Sequence, residues 1–225
     1  MCGRFTRQYT WAELHALYML SVGFESERSN LQPRYNICPT TTIDAVVERD
    51  GKRTVEPMRW GLVPSWWKKT LKELPATFNA RAETVAEKPM FRSAFKRHRC
   101  IIPASGYFEW TATTDGRKQP HYFTRRDGQI ISIAGLYEEW KNPETGQPLR
   151  SCTMIIGAAN DYVSPLHDRM PIILERDQFS TWLSGSAGTD MLRSADEGVL
   201  QEHAVSTRVN SSRADENDAT LIDAL

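Results

Sequence analysis

The chain holds no apolar run of the roughly 18 residues that a membrane-spanning helix requires, and its start lacks the basic-then-apolar order of a secretory signal. These absences point to a cytoplasmic protein with no membrane partner. Its four cysteines, Cys2, Cys38, Cys100 and Cys152, lie far apart, and none makes the C-x-x-C spacing of a zinc site or a redox dithiol. In a reducing compartment disulfides are not expected either. None of the five histidines, His15, His98, His121, His167 and His203, pairs with another or with a cysteine at ligand spacing, so no metal is expected. P-loop, G-x-G-x-x-G and G-x-S-x-G motifs are missing, which leaves no expected cofactor. Repeats, heptads and low-complexity tracts are missing too, and no linker divides the chain. One domain over residues 1–225 is expected, with 211–225 as a polar tail and a monomer as the working state.

Net charge is also absent, since 28 basic residues balance 28 acidic ones, which at first speaks against a nucleic-acid partner. The distribution is uneven. Residues 175–225 hold 4 basic and 10 acidic side chains, a net of −6, which leaves +6 in residues 1–174. A modestly basic body is compatible with a local phosphate-binding groove.

What is present reads as α+β, with curved, largely antiparallel sheets forming a barrel-like core and short flanking helices. Thr10 and Glu13 make a capping box for a helix that presents Leu14, Leu17 and Tyr18 and ends near Ser21. Residues 23–30 are polar and loop-like. Strands over 42–49 and 54–59 flank Asp50-Gly51, a hairpin signal. A short strand runs through 78–84, and Pro89 suits the first position of a helix reaching Lys96. Further strands are expected over 99–103, 106–110, 119–124, 130–137 and 151–158, then a polar loop over 166–171, a strand over 172–174, a helix over 177–183 and a late strand over 202–209.

The chemistry begins at the N-terminus. Removal of Met1, common before a small residue, leaves Cys2 with a free amine beside its thiol. Unperturbed, those groups titrate near roughly 8 and roughly 8.5, so both are partly reactive at neutrality. On one residue they can attack one aldehyde carbon in succession, the amine giving an imine and the thiol closing a thiazolidine. Glu109, within Gly106-Tyr107-Phe108-Glu109-Trp110, shares a strand face with Tyr107; it is either solvated or held in an apolar pocket as a general acid. His167, beside Asp168, is either a proton shuttle or a capping or core histidine. Asn79 and Arg81 fall on one face of their strand. Trp66 and Trp67 cannot both face one core from a strand or loop, so at least one is exposed beside Lys68, Lys69 and Lys72, a composition suited to stacking bases and holding phosphates.

Met1-Cys2-Gly3-Arg4-Phe5, Arg34-Tyr35-Asn36-Ile37-Cys38-Pro39, Trp60-Gly61-Leu62-Val63-Pro64-Ser65-Trp66, Asn79-Ala80-Arg81-Ala82-Glu83-Thr84, the segment around Glu109 and His167-Asp168-Arg169-Met170-Pro171 occur in this order. Together they resemble the SOS-response-associated peptidase (SRAP) family of abasic-site-processing proteins, from residue 2 to about 174 and more weakly through Val205-Ser206 to Val209-Asn210. Ser105 and Ile37-Cys38-Pro39 depart from the usual pattern without replacing a catalytic group. The resemblance implies that Cys2, freed of Met1, captures an abasic site in single-stranded DNA. It also implies that Asn79 positions the N-terminus and lesion, that Glu109 assists ring opening and that His167 serves imine formation and reversal. By the same likeness Arg4 and Arg81 hold phosphates, and Trp66 and Trp67 stack on or wedge against bases. Two other readings stand beside it: a thiol peptidase or amidase with Cys2 as nucleophile and Glu109 and His167 as its bases, and a non-catalytic single-strand binder built on Trp66, Trp67 and the lysines.

Overall fold

The computed structural model describes residues 2–21 and 31–225; the loop expected over 23–30 lies outside them. Among the described residues twelve strands carry the fold: β1 Arg4–Arg7, β2 Arg34–Ile37, β3 Thr42–Arg49, β4 Lys52–Trp60, β5 Asn79–Arg81, β6 Arg99–Ala104, β7 Gly106–Ala112, β8 Lys118–Arg125, β9 Ile131–Lys141, β10 Pro148–Ala158, β11 Arg169–Pro171 and β12 Leu200–Ala204. Helices α1 Trp11–Tyr18, α2 Arg92–Arg97 and α3 Phe179–Leu183 flank them. None of the described helices is long and apolar enough to cross a membrane.

Strands β10, β4, β3, β6 and β9 pair in that order, and β9 pairs back onto β10, closing a five-stranded barrel. A separate sheet in the order β12-β8-β7-β1-β2 lies against it. Among the described residues, only β10 with β4 and β10 with β5 run parallel. The barrel interior and the inner face of the second sheet share one core, in which Phe5 meets Trp60 edge to face at 5.2 Å and Tyr107 stacks on Phe123. A second cluster lies under the helices, where Leu14 and Tyr18 of α1 and Trp182 of α3 cover Val46, Ile101 and Ile155. Period-two alternation sends Val46 to that side and Ala45 and Val47 into the barrel.

The local signals act as their chemistry dictates. Thr10 accepts from the Glu13 N–H at 3.2 Å while the Glu13 carboxylate takes the Thr10 N–H at 2.6 Å. Asp50 and Gly51 adopt φ of 51° and 70°, the left-handed pair of a two-residue hairpin, so β4 begins at Lys52. Gly106 has a different reason to be glycine: a Cβ there would stand 2.4 Å from the ring of Tyr122.

Several boundaries differ from the expected ones. Helix α1 stops at Tyr18, because Met19 turns left-handed at φ 52° and sends the next residue, Leu20, back into the core. Helix α2 starts at Arg92, since Phe91, at φ −121°, leaves helical geometry to bury its ring, and Pro89 lies in the turns before it. The strand expected over 172–174 is present only as a bridge of Ile173 to Ile133 of β9, flanked by the Ala134 N–H on the Ile172 carbonyl and the Leu174 N–H on the Ser132 carbonyl, while Arg169–Pro171, expected as loop, pairs with residues 156–158 of β10. The late strand closes at Ala204, and Thr207–Asn210 forms a 3-10 turn capped by Ser206. Residues 211–225 are no free tail: Leu221 is buried with Phe108, Tyr122, Val205 and Val209 on the outer face of the second sheet.

Candidate active site

Four elements bring the expected groups to one end of the shared core. Strand β1 enters beside β7, with Arg4 opposite Phe108 and Phe5 opposite Tyr107, which carries Cys2 alongside the Glu109 end of β7. Strand β10 holds the others: β5 pairs along it with Asn79 opposite Met154, and β11 pairs with Ala158 opposite Arg169, two residues after His167. A strand three residues long is stable here because β10 is long enough to take β9, β4, β5 and β11 in turn.

Cys2 is buried, and the Asn79 side-chain amide donates to its carbonyl at 2.9 Å. Its thiol lies beside the Glu109 carboxyl, itself only 1% exposed. Burial pushes the Glu109 pKa up, and the adjoining Cys2 thiol and nearby His167 offset part of that rise. The apolar-pocket alternative for Glu109 therefore holds. The Cys2 thiol is driven well above its ordinary value by burial, then by the neighbouring carboxyl. This corrects the expectation of a thiol partly ionised at neutrality: in this pocket it keeps its proton.

His167 faces Glu109 with Nε2, 3.5 Å from Oε2. Its Nδ1 lies 3.0 Å from the Arg169 N–H, 3.1 Å from the Arg169 carbonyl and 3.3 Å from the exposed Asp168 carboxylate. The neutral ring that accepts the Arg169 N–H at Nδ1 carries its hydrogen on Nε2, toward Glu109; the protonated ring can turn Nδ1–H to the Arg169 carbonyl. From the protonated ring, with Nδ1–H on the Arg169 carbonyl, Nε2 can hand its proton to the Glu109 carboxylate, leaving the Nδ1–H tautomer, and take it back.

The remaining expected residues separate into two kinds. Arg81 is exposed at the end of β5 on the same side as Asn79. Arg4 is turned into its own chain: Nη1 donates to Asn36 Oδ1 at 3.1 Å and to the Val209 carbonyl, Nη2 donates to the Asn210 carbonyl at 3.0 Å, and the guanidinium lies over the Trp110 ring. In this arrangement Arg4 ties the C-terminal segment to β1 and has few donors left for a phosphate. Trp66 is 47% exposed and Trp67 half-buried, their rings 6.1 Å apart, on a loop that Trp140 holds by donating to the Trp67 carbonyl at 2.7 Å.

Two residues of the site escaped the sequence reading. Tyr107 places a buried hydroxyl, with no hydrogen-bond partner among the described residues, close enough to feel Cys2 and Glu109. Arg169 supplies the backbone that orients His167 and forms an ion pair with Glu83, joining two of the sequence motifs. The period-two face shared with Glu109 was the signal for Tyr107, and Arg169 entered the sequence reading only inside the His167-Asp168-Arg169-Met170-Pro171 motif, with no role of its own. Among the described residues, no three His, Cys, Asp or Glu side chains converge as metal ligands would.

Comparison with known proteins gives a consistent result. Residues 1–212 match the family model described as SOS response associated peptidase (SRAP). The abasic site processing protein YoaM of Bacillus subtilis is 35% identical over 229 residues, spanning all of this chain and 98% of its own. The abasic site processing protein YedK of Escherichia coli is 33% identical over 189 residues, or 81% of this chain and 79% of its own. A crystal structure of a Bacteroides thetaiotaomicron protein superposes over the whole of both chains with a TM-score of 0.88 at 26% identity.

Proposed function

Because this chain belongs to the SOS response associated peptidase family, whose relatives are abasic site processing proteins, we propose that it captures abasic sites in single-stranded DNA as a covalent thiazolidine on Cys2. The observation that carries this reading is the contact between the Cys2 thiol and the buried Glu109 carboxyl, with Asn79 on the Cys2 carbonyl and His167 on the far side of Glu109.

Loss of Met1 frees the Cys2 amine. A protonated Glu109, favoured by its raised pKa, donates to the sugar ring oxygen as the hemiacetal opens to the aldehyde. The amine adds to that carbon and water leaves, giving the imine, with His167 carrying protons to and from Glu109. The thiol then adds across the C=N bond: a C–S bond forms, and the thiol proton passes by way of Glu109 to the nitrogen. No oxidant or reductant is needed. Closure removes the imine and with it the route to β-elimination, so the strand stays intact; self-removal of Met1 and slow strand cleavage through unclosed imine are the accompanying activities.

Arg81 and the lysines near Trp66 are the cations placed to meet phosphates, and Trp66 is the ring free to stack on a base, worth about 1–3 kcal/mol. Arg4 serves instead as an internal clamp. A thiol peptidase is disfavoured because a nucleophilic thiolate needs a cationic partner, whereas Cys2 has a carboxyl that raises its pKa. A purely non-covalent binder has no use for a buried carboxyl against the first thiol of the chain.

Intact mass measurement with an oligonucleotide bearing one abasic site tests the reading. The chain lacking Met1 is expected to gain the mass of the oligonucleotide less one water, while Cys2→Ala and a chain retaining Met1 gain nothing that survives denaturation. An adduct of equal yield in Cys2→Ala would overturn it.

A further inference from the structure

The inner face of the second sheet carries another polar group beside Glu109. His121 of β8 stands directly opposite Glu109 in the β7–β8 register. Such partners put their side chains on one face, with Cβ atoms about 4.5–5.5 Å apart. The neighbouring pair on that face, Tyr107 and Phe123, stacks at 5.0 Å in the shared core, which fixes it as the inner one. Thr111 lies on the same face, about 7 Å further along β7, and Glu202 of β12 reaches it from opposite Phe123.

These side chains form a connected row. His121 Nδ1 is 2.8 Å from Glu202 Oε2, and His121 Nε2 is 3.1 Å from Thr111 Oγ1. The His121 side chain is 14% exposed and Thr111 is half-buried, so the row runs from the buried Glu109 toward solvent.

The direction of its hydrogen bonds follows from donor capacity. The Glu202 carboxylate only accepts, so Nδ1 carries a hydrogen; when that is the ring's single hydrogen, Nε2 accepts and the Thr111 hydroxyl donates to it. What Thr111 offers a ligand is its oxygen lone pairs. A phosphate oxygen, itself an acceptor, does not fit there, and the carboxylate of Glu202 on the same face disfavours it further. An amino N–H fits.

We propose that Thr111, oriented by His121 and Glu202, accepts a hydrogen bond from the exocyclic amino group of the nucleobase adjoining the abasic sugar, which makes this row a determinant of flanking-base preference. The proposal rests on Cys2 being the lesion trap. Adenine, cytosine and guanine carry such an amino group and thymine does not.

The test is the initial rate of denaturation-resistant adduct formation by the full chain on single-stranded oligonucleotides, each with one abasic site flanked by one of the four bases on either side in turn. Wild type is expected to react about 3- to 10-fold more slowly beside thymine, the weight of one hydrogen bond. Thr111→Ser should keep that ranking, while Thr111→Val, of the same shape, should level the four rates. A Thr111→Val variant that retains the full preference, or a wild type that reacts equally beside all four bases, overturns the proposal. Wild type that forms no adduct on any oligonucleotide overturns instead the reading of Cys2 on which it rests.

Discussion

Glu109 and Cys2 lie together in a buried pocket: burial raises the pKa of both, the carboxyl raises that of the thiol further, and the thiol offsets part of the rise at the carboxyl. A carboxyl in that position is a proton store. Because its pKa is raised in the fold, the stability it contributes is complete below the ordinary carboxylate value of roughly 4.3 and is lost as pH climbs through the raised value. Glu109→Gln, uncharged throughout, is therefore expected to melt higher than wild type at pH 8 and no higher at pH 4, which thermal unfolding at the two pH values checks. The same substitution removes the general acid, so the rate of adduct formation should fall by about 10²- to 10⁴-fold. His167 and Asn79 act on the same pair from outside, one as a proton carrier and the other by fixing the Cys2 carbonyl.

The loop between β4 and β5 shows how an element presents a side chain without burying it. Its anchor is Trp140 of β9, fully inside, whose indole N–H holds the Trp67 carbonyl, while Trp67 donates to the Thr70 carbonyl at 3.1 Å and Lys69 lies 3.7 Å from Glu73. Trp66 is left outward at the tip of a braced loop. Trp140→Phe keeps the packed ring and deletes the N–H, so affinity for single-stranded DNA, read by fluorescence anisotropy, should weaken by several-fold, while the adduct rate at saturating DNA stays close to wild type. Pinning a loop through one indole lowers the entropy lost when a base stacks on it.

At the scale of the whole molecule the last residues close the second sheet. Glu216 pairs with Arg34 at 2.9 Å, its carbonyl accepts the Tyr35 N–H, His203 Nε2 lies 2.8 Å from the Ile222 carbonyl, and Arg4 gathers the carbonyls of Val209 and Asn210. Leu221 is the apolar centre of that closure, 1% exposed. Leu221→Ala should destabilise the fold by about 2–5 kcal/mol in chemical denaturation. The segment reads as a polar tail in sequence because its one deeply buried leucine is surrounded by charges, and only the docked geometry shows that those charges face outward or pair.

Sequence by itself determined what depends on neighbours along the chain. The capping box at Thr10, the two-residue hairpin at Asp50-Gly51 and the alternation that puts Glu109 with Tyr107 and Asn79 with Arg81 are short-range, and each appears in the fold. The order of six motifs was enough to mark the family. Tertiary structure decided what depends on the dielectric and on partners far away in sequence: that Glu109 is buried and the Cys2 thiol protonated, that Arg4 is committed to residues 209 and 210, and that His121 stands beside Glu109. A pKa is set by the solvent a group loses and the charges it meets, and for Cys2 the burial comes from a core gathered from all along the chain and the raising charge from Glu109, on the strand that begins at Gly106.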